Sequence, residues 1–320
     1  MKAAVYYQNG DPSVLKYEEV PDPVCHPNGV VIRVAAVSIE GGDTLNRFRG
    51  ALATRPHIVG YQASGEIIEV GAQVKHLKPG QKVATVNSFG SHAELRSVPA
   101  RNAWLLPDGF DVKLAAVIPV TFGTADDCLF EFGRLKTGET VLVQAGASGV
   151  GVAAIQLAKR AGARVLATAS SDARLERLKA LGLDHGINYK TTDVVKMVMQ
   201  LTDNKGVNLV VDPVGGPTLQ SSLLSLGYRG RVSLVGSAGR EPNHVDVSTL
   251  VGGNRSLSGV FLGAEIATDR VHDNIQRLIG ETARGELKVV VDRTFPLAEA
   301  AAAHAYIESR QAVGRVLLIP

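Results

Sequence analysis

The sequence predicts an α/β protein that combines a β-rich domain with a doubly wound parallel sheet. Two observations lead to this prediction. Before about residue 120, helical periodicity is missing, and short runs of β-branched residues are bounded by turn residues. From about residue 140, short apolar runs alternate with helical patterns, which is typical of a parallel sheet covered on both faces. The 320 residues are enough for two domains, each with its own core.

The β-rich part is predicted from residue 1 to about residue 120, with one or two small helices. Its strand patterns lie at 30–37, 65–70 and 81–86. Residues 111–136 then follow a helical pattern, in which we expect Pro119 to cause a break and Gly138 to end the segment.

Six strands are predicted for the parallel sheet, at 141–145, 164–169, 185–189, 207–212, 230–236 and 256–262. This number completes a doubly wound sheet. A helix at 172–181 is predicted to end at Gly182, a suitable C-terminal cap. The tail differs, and we expect it to pack on the N-terminal domain. Its predicted elements are a helix around 267–287, a strand at 287–291, a helix at 297–309 and a strand at 315–319.

The first strand of this sheet runs into a tight glycine turn and then into a helix. The turn comprises Gly146, Ala147, Ser148, Gly149, Val150 and Gly151. Glycines let the backbone approach a pyrophosphate, and the helix N-terminus offers free N–H groups and a positive dipole end. Because a strand and a helix flank the turn, we interpret it as a dinucleotide-binding loop. A tight turn in an enzyme without a nucleotide is the alternative.

The end of the second strand favours NADP over NAD. An NAD-binding domain places a carboxylate there for the ribose 2′-hydroxyl, whereas this strand ends in Ser170 and Ser171. A hydroxyl can bond to a 2′-phosphate, and Arg174 follows at a position from which its planar fork could pair with it. The alternative for Arg174 is a solvated helix face.

Composition excludes several function classes. The net charge of +3 and the lack of a basic cluster argue against a nucleic-acid partner. No run of 18 apolar residues predicts a membrane span. The apolar run at the N-terminus is too short for a signal peptide, so we expect a cytoplasmic protein. Cys25 and Cys128 are too few for a cysteine-based zinc site, and no short-spaced histidine pair suits one, so we expect no metal.

Several motifs together resemble one known family from end to end. They are 60–71 with its Gly-x-Glu-x-x-Gly-like pattern, 80–83, 137–143 with the glycine turn, 211–216, 234–239 and 308–310. The chain resembles the medium-chain dehydrogenase/reductase superfamily, specifically its zinc-independent quinone oxidoreductase branch. This resemblance implies a chaperonin-10-like catalytic domain at 1–123, a Rossmann dinucleotide-binding domain at 124–263, and a return to the catalytic domain at 264–320.

The resemblance also implies contacts with NADPH. The 2′-phosphate would lie among Ser170, Arg174, Tyr189 and Arg310. The nicotinamide side would be flanked by Val214, Gly236, Ser237, Phe261, Leu262 and Gly263, and Thr124 would also bind the cofactor. The family commonly forms homodimers by pairing its last sheet strand, here 256–262, across a twofold axis.

Departures from the family pattern bear on the substrate and the metal. Tyr61 stands where the zinc-dependent relatives have a histidine ligand. Glu40 replaces an Asn and Leu45 a Tyr in a segment associated with the substrate pocket, and Asp126 stands where an aromatic residue is usual. Ser148 replaces a glycine of the cofactor loop, where its small side chain should be tolerated.

Without a metal to polarise a carbonyl, the accessible chemistry is hydride delivery from NADPH to an activated acceptor. The first hypothesis is a quinone reductase, and the second is a reductase of α,β-unsaturated carbonyls. A third is a non-catalytic NADPH-binding sensor or scaffold. Candidate hydrogen-bond donors to the acceptor oxygen are Asn46, Arg47, Tyr61 and Thr124. Tyr61 could instead pack between domains, and Asn46 and Arg47 could cap a local turn; Asp43 is expected to be structural.

Overall fold

The computed structural model describes residues 1–320, which form two compact units. The first unit comprises Met1–Gly123 and Gly263–Pro320, and the second comprises Thr124–Leu262. The predicted boundaries lay after residues 123 and 263, so the structure moves Gly263 into the first unit.

The N-terminal part of the first unit consists mainly of strands. Its elements are β1 (Lys2–Tyr6), β2 (Lys16–Glu19), β3 (Gly29–Ser38), α1 (Gly41–Arg49), β4 (His57–Ile58), β5 (Gln62–Val70), β6 (Lys82–Val86), β7 (Leu95–Pro99), β8 (Ala103–Leu105), α2 (Val112–Ala115) and α3 (Ile118–Asp126), which continues into the second unit. The expected break at Pro119 is confirmed, because α2 ends at Ala115 and α3 begins only at Ile118. Pro119 itself occupies the first turn of α3, where its missing N–H costs no hydrogen bond.

The second unit is built of alternating strands and helices. Its elements are β9 (Thr140–Val143), α4 (Gly149–Arg160), β10 (Arg164–Ala169), α5 (Asp172–Lys179), β11 (His185–Asn188), α6 (Val194–Leu201), β12 (Val207–Asp212), α7 (Pro217–Leu224), β13 (Leu226–Leu234), α8 (Ser248–Val251), β14 (Ser256–Gly259) and α9 (Leu262–Glu265), whose first residue ends the unit. The strands are all parallel, in the order β11-β10-β9-β12-β13-β14. This order confirms the predicted doubly wound sheet.

The last strand of this sheet is shorter than predicted. β14 ends at Gly259, whereas the apolar pattern extended to residue 262. The backbone N–H of Val260 still bonds to Leu234 O at 2.8 Å. Leu262 already begins α9, and a continuous apolar run does not show where a strand gives way to a helix.

The C-terminal tail completes the large sheet of the first unit. It contains α10 (Asp269–Ala283), β15 (Val291–Pro296), α11 (Ala300–Glu308) and β16 (Arg315–Ile319). The sheet has the order β15-β16-β3-β5-β6-β8, with β7 also paired to β3, so the tail packs on the N-terminal segment as expected. The strand predicted at 287–291 is wrong, because β15 begins at Val291. None of the helices is both long and apolar enough to cross a membrane.

Candidate functional site

The glycine turn between β9 and α4 has the geometry of an anion-binding loop. Ser148 is the N-cap of α4, and its Oγ accepts the Gly151 N–H at 3.1 Å. The serine that replaces a family glycine is therefore a helix cap. A Cβ on Gly151 would lie 2.7 Å from Gly146 Cα, so only glycine permits this close approach. The amides of Gly149 and Val150 lie in the first helical turn, where backbone N–H groups lack intrahelical partners.

The end of β10 brings Ser170 and Arg174 together. The Arg174 guanidinium donates to Ser170 Oγ at 2.8 Å, and both side chains are partly exposed. No carboxylate ends this strand, since Asp172 lies in the first turn of α5 and accepts a bond from Asn188. Tyr189 follows β11, and its backbone N–H bonds to Ala169 O at 3.1 Å, next to Ser170. Three of the four predicted phosphate residues are therefore neighbours, while Arg310 lies in the first unit after α11.

The loops after β12 and β13 are hydrogen-bonded to each other. Gly239 N–H bonds to Val214 O at 2.8 Å, and a Cβ on Gly236 would lie 2.6 Å from Pro213 O. Ser237 lies in the same loop as Gly236, and both are partly exposed. These loops, the glycine turn and Ser170 all follow the carboxyl ends of parallel strands, so they lie along one edge of the sheet, where this fold binds nucleotides.

The remaining predicted cofactor residues differ in exposure. Phe261 is 72% exposed beyond β14, whereas Leu262 is buried in α9. Thr124 is buried on α3, and Ala147 is buried within the glycine turn. Gly263 is exposed.

In the first unit, the structure brings Asn46 and Tyr61 together. Asn46 Nδ2 donates to the Tyr61 hydroxyl at 2.9 Å. A Cβ on Gly42, one turn before Asn46, would collide with the Tyr61 ring, so glycine makes room for it. Burial, reinforced by the Asp43 carboxyl, raises the pKa of Tyr61 to about 12. Tyr61 is therefore neutral, and its hydroxyl proton has no acceptor within the protein.

The expectation that Arg47 donates to a substrate is not supported by its surroundings. Its side chain is fully buried. Its Nε donates to Gly10 O at 3.2 Å, one terminal nitrogen contacts His304 Nδ1 at 3.0 Å, and the other pairs with Glu308 at 2.6 Å. Through these contacts Arg47 holds α1 against α11, which is a structural role.

Glu40 is likewise engaged in a buried network rather than free. Its Oε1 accepts from Gln62 Nε2 at 2.5 Å and pairs with Arg315 at 2.6 Å. Asp43 is also buried and accepts the backbone N–H of Glu40 at 2.8 Å, a structural role as expected. Burial raises the pKa of Asp43 to about 8.

The two other replaced positions, Leu45 and Asp126, lie on helices. Leu45 is partly buried on α1, and Asp126 is buried at the end of α3. Cys128 is buried, Cys25 is partly exposed, and no group of three or more His, Cys, Asp or Glu side chains is placed to hold a metal ion.

Sequence reasoning missed a buried polar network beneath the cofactor loops, formed by Gln144, Thr168, Asp212 and Ser222. For Gln144, Thr168 and Asp212 the signal was present as polar residues at or near the ends of otherwise apolar strands, whereas Ser222 lies on α7. Their mutual contacts depend on strand order, which the local sequence does not show.

Two family models match the chain. The model described as the alcohol dehydrogenase GroES-like domain matches residues 26–108, and the one described as zinc-binding dehydrogenase matches residues 149–279. The matched regions lie in the first unit for the GroES-like model and mostly in the second unit for the other.

Relatives align over nearly the whole chain. A 2-haloacrylate reductase of a Burkholderia species is 32% identical over 99% of this chain and 98% of its own length. A quinone oxidoreductase of Pseudomonas aeruginosa is 30% identical over 97% of each chain. The solved structure of Escherichia coli quinone oxidoreductase complexed with NADPH matches with a TM-score of 0.95, at 28% identity over 100% of both chains. The chain therefore belongs to the medium-chain dehydrogenase/reductase superfamily, in its quinone oxidoreductase branch.

Proposed function

We propose that this protein is a metal-independent oxidoreductase that uses NADPH to deliver a hydride to a quinone. The observation that carries the proposal is the bonded pair of Ser170 and Arg174 at the end of β10. A hydroxyl and a guanidinium at this place fit a 2′-phosphate, and a carboxylate would repel it. The relative from Escherichia coli, solved with NADPH, supports this cofactor.

The residues of the second unit fit the rest of the cofactor. A Cβ on Gly146 or Gly151 would collide with the protein's own atoms, so these glycines permit the tight turn. The first turn of α4 offers N–H groups to a pyrophosphate. Val214 and Gly236, on the two bonded loops, would hold the nicotinamide side. When bound, NADPH supplies the hydride, and the protein supplies orientation and electrostatics.

Tyr61 is the residue that we assign to the substrate oxygen. Hydride addition to a conjugated carbonyl develops negative charge on an oxygen remote from the carbon attacked, and a neutral hydrogen-bond donor stabilises that charge. The Tyr61 hydroxyl accepts from Asn46 and retains its own proton for donation. Its raised pKa keeps that proton in place at neutral pH.

The metal-free part of the proposal rests on the side chains present. Tyr61 occupies the position of a histidine zinc ligand, and a neutral phenol is a poor ligand for zinc. Zinc-free hydride delivery suits an acceptor that is already activated, such as a quinone.

A reductase of α,β-unsaturated carbonyls is the second candidate. The specific observation that favours it is the Burkholderia relative, which is named for reduction of a 2-haloacrylate. Both acceptor classes place the oxygen at the far end of a conjugated system, so Tyr61 would serve either.

Initial rates of NADPH and NADH oxidation test the function. The acceptors are a naphthoquinone, an enone, 2-chloroacrylate and a simple aldehyde. We expect turnover of the quinone with NADPH preferred over NADH. A preference for the enone or 2-chloroacrylate would move the assignment to the second candidate. Turnover of the aldehyde alone, or none with any acceptor, would refute both.

We also propose that the protein forms a homodimer through β14. This strand ends the sheet order and pairs only with β13, so its outer edge is open to a second copy. Exposed apolar side chains occur in this part of the unit, among them Tyr228, Val251 and Phe261. β14 ends at Gly259 and is shorter than the predicted strand 256–262. The proposed pairing segment is therefore limited to Ser256–Gly259.

A further inference from the structure

A continuous chain of buried hydrogen bonds lies beneath the cofactor loops of the second unit. It begins at the carboxylate of Asp212, whose Oδ2 accepts from Ser222 Oγ at 2.8 Å. Gln144 Nε2 donates to Ser222 Oγ at 3.2 Å, and Thr168 Oγ1 donates to Gln144 Oε1 at 2.8 Å. The backbone N–H of Ala145 donates to Thr168 Oγ1 at 3.0 Å.

The direction of every bond in this chain is fixed. A carboxylate only accepts, so Ser222 must donate to Asp212 and can then only accept from Gln144. The Gln144 amide is thereby oriented with its oxygen toward Thr168. Thr168 must donate to that oxygen, which leaves its own lone pairs to accept from Ala145. All four side chains are buried, so water cannot replace a lost partner without cost.

Both ends of the chain reach the cofactor loops. Ala145 directly precedes the glycine turn and has a φ of 48°, in the left-handed region that disfavours a side chain, so this backbone needs support. Asp212 Oδ1 accepts the N–H groups of Val214 and Gly215, at 2.8 and 3.0 Å, in the loop assigned to the nicotinamide side. One carboxylate is therefore connected to both loops.

We propose that Asp212, Ser222, Gln144 and Thr168 form a positioning network that holds the two cofactor loops in their NADPH-binding geometry. The network acts through backbone amides and touches no predicted ligand-binding side chain. This inference rests on the proposed use of NADPH. Ser222 is its most diagnostic member, because it lies on α7, bonds only inside the network and has no bond to either loop.

Three variants and a matched control test the network. Ser222→Ala cuts the chain between Asp212 and Gln144, and Thr168→Val removes the acceptor of Ala145 while keeping the side-chain shape. Thr168→Ser retains the hydroxyl and should restore binding. The control is Ser233→Ala, because Ser233 is an equally buried serine of the same unit whose Oγ donates to Cys128 O at 2.8 Å, outside the network.

The first measurement is the dissociation constant of NADPH, from its fluorescence on titration with each variant. We expect about tenfold weaker binding for Ser222→Ala and for Thr168→Val, the effect of one buried hydrogen bond. The double variant Ser222→Ala/Thr168→Val should bind NADPH no more weakly than Thr168→Val alone, because both changes break the same chain of hydrogen bonds. Thr168→Ser and Ser233→Ala should bind within about twofold of the wild type.

The second measurement is hydrogen–deuterium exchange of the cofactor-free protein. The peptide that contains Ala145 and Gly146 should exchange about tenfold faster in Ser222→Ala and unchanged in Ser233→Ala. If Ser222→Ala binds NADPH as tightly as the wild type and its Ala145–Gly146 peptide exchanges at the wild-type rate, the proposed positioning role is refuted. Failure of the wild type to bind NADPH would instead refute the proposed cofactor, while the exchange result would still decide the network. If Thr168→Val does not fold, Ser222→Ala decides.

Discussion

Acidification should destabilise the first unit through two buried histidines. A guanidinium only donates, so Arg47 donates to His304 Nδ1 at 3.0 Å. His304 must then carry its proton on Nε2 and donate to His92 Nε2, also at 3.0 Å. His92 in turn donates from Nδ1 to Ser91 Oγ at 3.2 Å. An additional proton on either ring would remove an acceptor from this chain, so both rings are held neutral.

The size of the effect follows from the histidine pKa values. Burial lowers the pKa of His92 to about 3, whereas an unfolded histidine titrates near about 6.5. Below that pH the unfolded chain binds a proton that the folded chain does not, so stability falls as the pH falls. His92 alone therefore contributes a loss of about 2 kcal/mol between pH 7 and pH 5. Burial also lowers the pKa of His304, which acts with the same sign.

Asp43 acts in the opposite direction. Burial raises its pKa to about 8, so the folded chain keeps a proton that an unfolded carboxyl loses above about pH 3.9. The contribution of Asp43 to stability therefore grows as the pH falls from 8 toward 5, and it offsets that of one histidine. For this reason, the wild-type pH profile alone does not isolate His92, and a variant is needed.

The assay compares His92→Gln with the wild type at pH 7 and pH 5. The free energy of unfolding comes from urea denaturation followed by the fluorescence of Trp104, the single tryptophan, which is buried in the same unit. Glutamine can donate and accept but does not titrate. We expect the destabilisation caused by His92→Gln to be smaller at pH 5 than at pH 7 by about 2 kcal/mol. The control is His76→Gln, at an exposed histidine. An equal destabilisation at both pH values would refute the reasoning.

Four further predictions concern the cofactor, the substrate, the metal and the dimer. Arg174→Ala should weaken NADPH binding by about 1.5–3 kcal/mol, the range for a charge-assisted bond, and leave NADH binding nearly unchanged. Titration with both cofactors checks this, and Arg177→Ala, on the exposed face of α5, is the control. Equal losses of NADPH and NADH binding would contradict the phosphate assignment. Tyr61→Phe should lower kcat with the preferred acceptor by about tenfold or more, because it removes the hydrogen bond to developing charge. It also removes the bond from Asn46 but no proposed cofactor contact, so the NADPH dissociation constant should be unchanged. An unaltered rate, like that expected for the surface change Tyr17→Phe, would leave Tyr61 a packing residue. A chelator should leave activity unchanged in a steady-state assay, and a loss that zinc restores would contradict the metal-free proposal. Gly259→Pro should convert the dimer to a monomer, because it removes an outward N–H of β14. Gly259→Ala, whose Cβ meets nothing within 4 Å, should remain dimeric. Size-exclusion chromatography with light scattering measures the oligomeric state of both variants.

The second unit was largely predictable because its local signals agree with one another. β10 lies at the predicted residues, Arg164–Ala169, since a short apolar run is bounded by a glycine before it and serines after it. The approximate residues of the other strands and the strand–turn–helix around Gly146 followed from the same alternation. Errors occur where an apolar run continues past the end of its element, as at β14, or where a β-branched run borders a strand, as before β15.

The place of the cofactor candidates in the fold was easier to predict than that of the substrate candidates, for a topological reason. Parallel strands all end at one edge of the sheet, so Ser170 after β10 and Val214 after β12 lie along the same edge. Arg47, by contrast, could be interpreted only from its neighbours in the sequence. Its partner Glu308 lies 261 residues away, and no local pattern predicts that contact.

The long-range partners also change the meaning of the Glu40 replacement. Glu40 and Arg47 stand at the two ends of α1, and both are tied to the C-terminal tail, Glu40 to Arg315 on β16 and Arg47 to Glu308 on α11. Removing either partner would leave a buried charge without compensation, which is costly. The tail therefore fixes α1, and α1 carries Asn46, which orients the Tyr61 hydroxyl. On this reasoning Glu40 supports, through α1, the position of Tyr61, the residue proposed to contact the substrate oxygen.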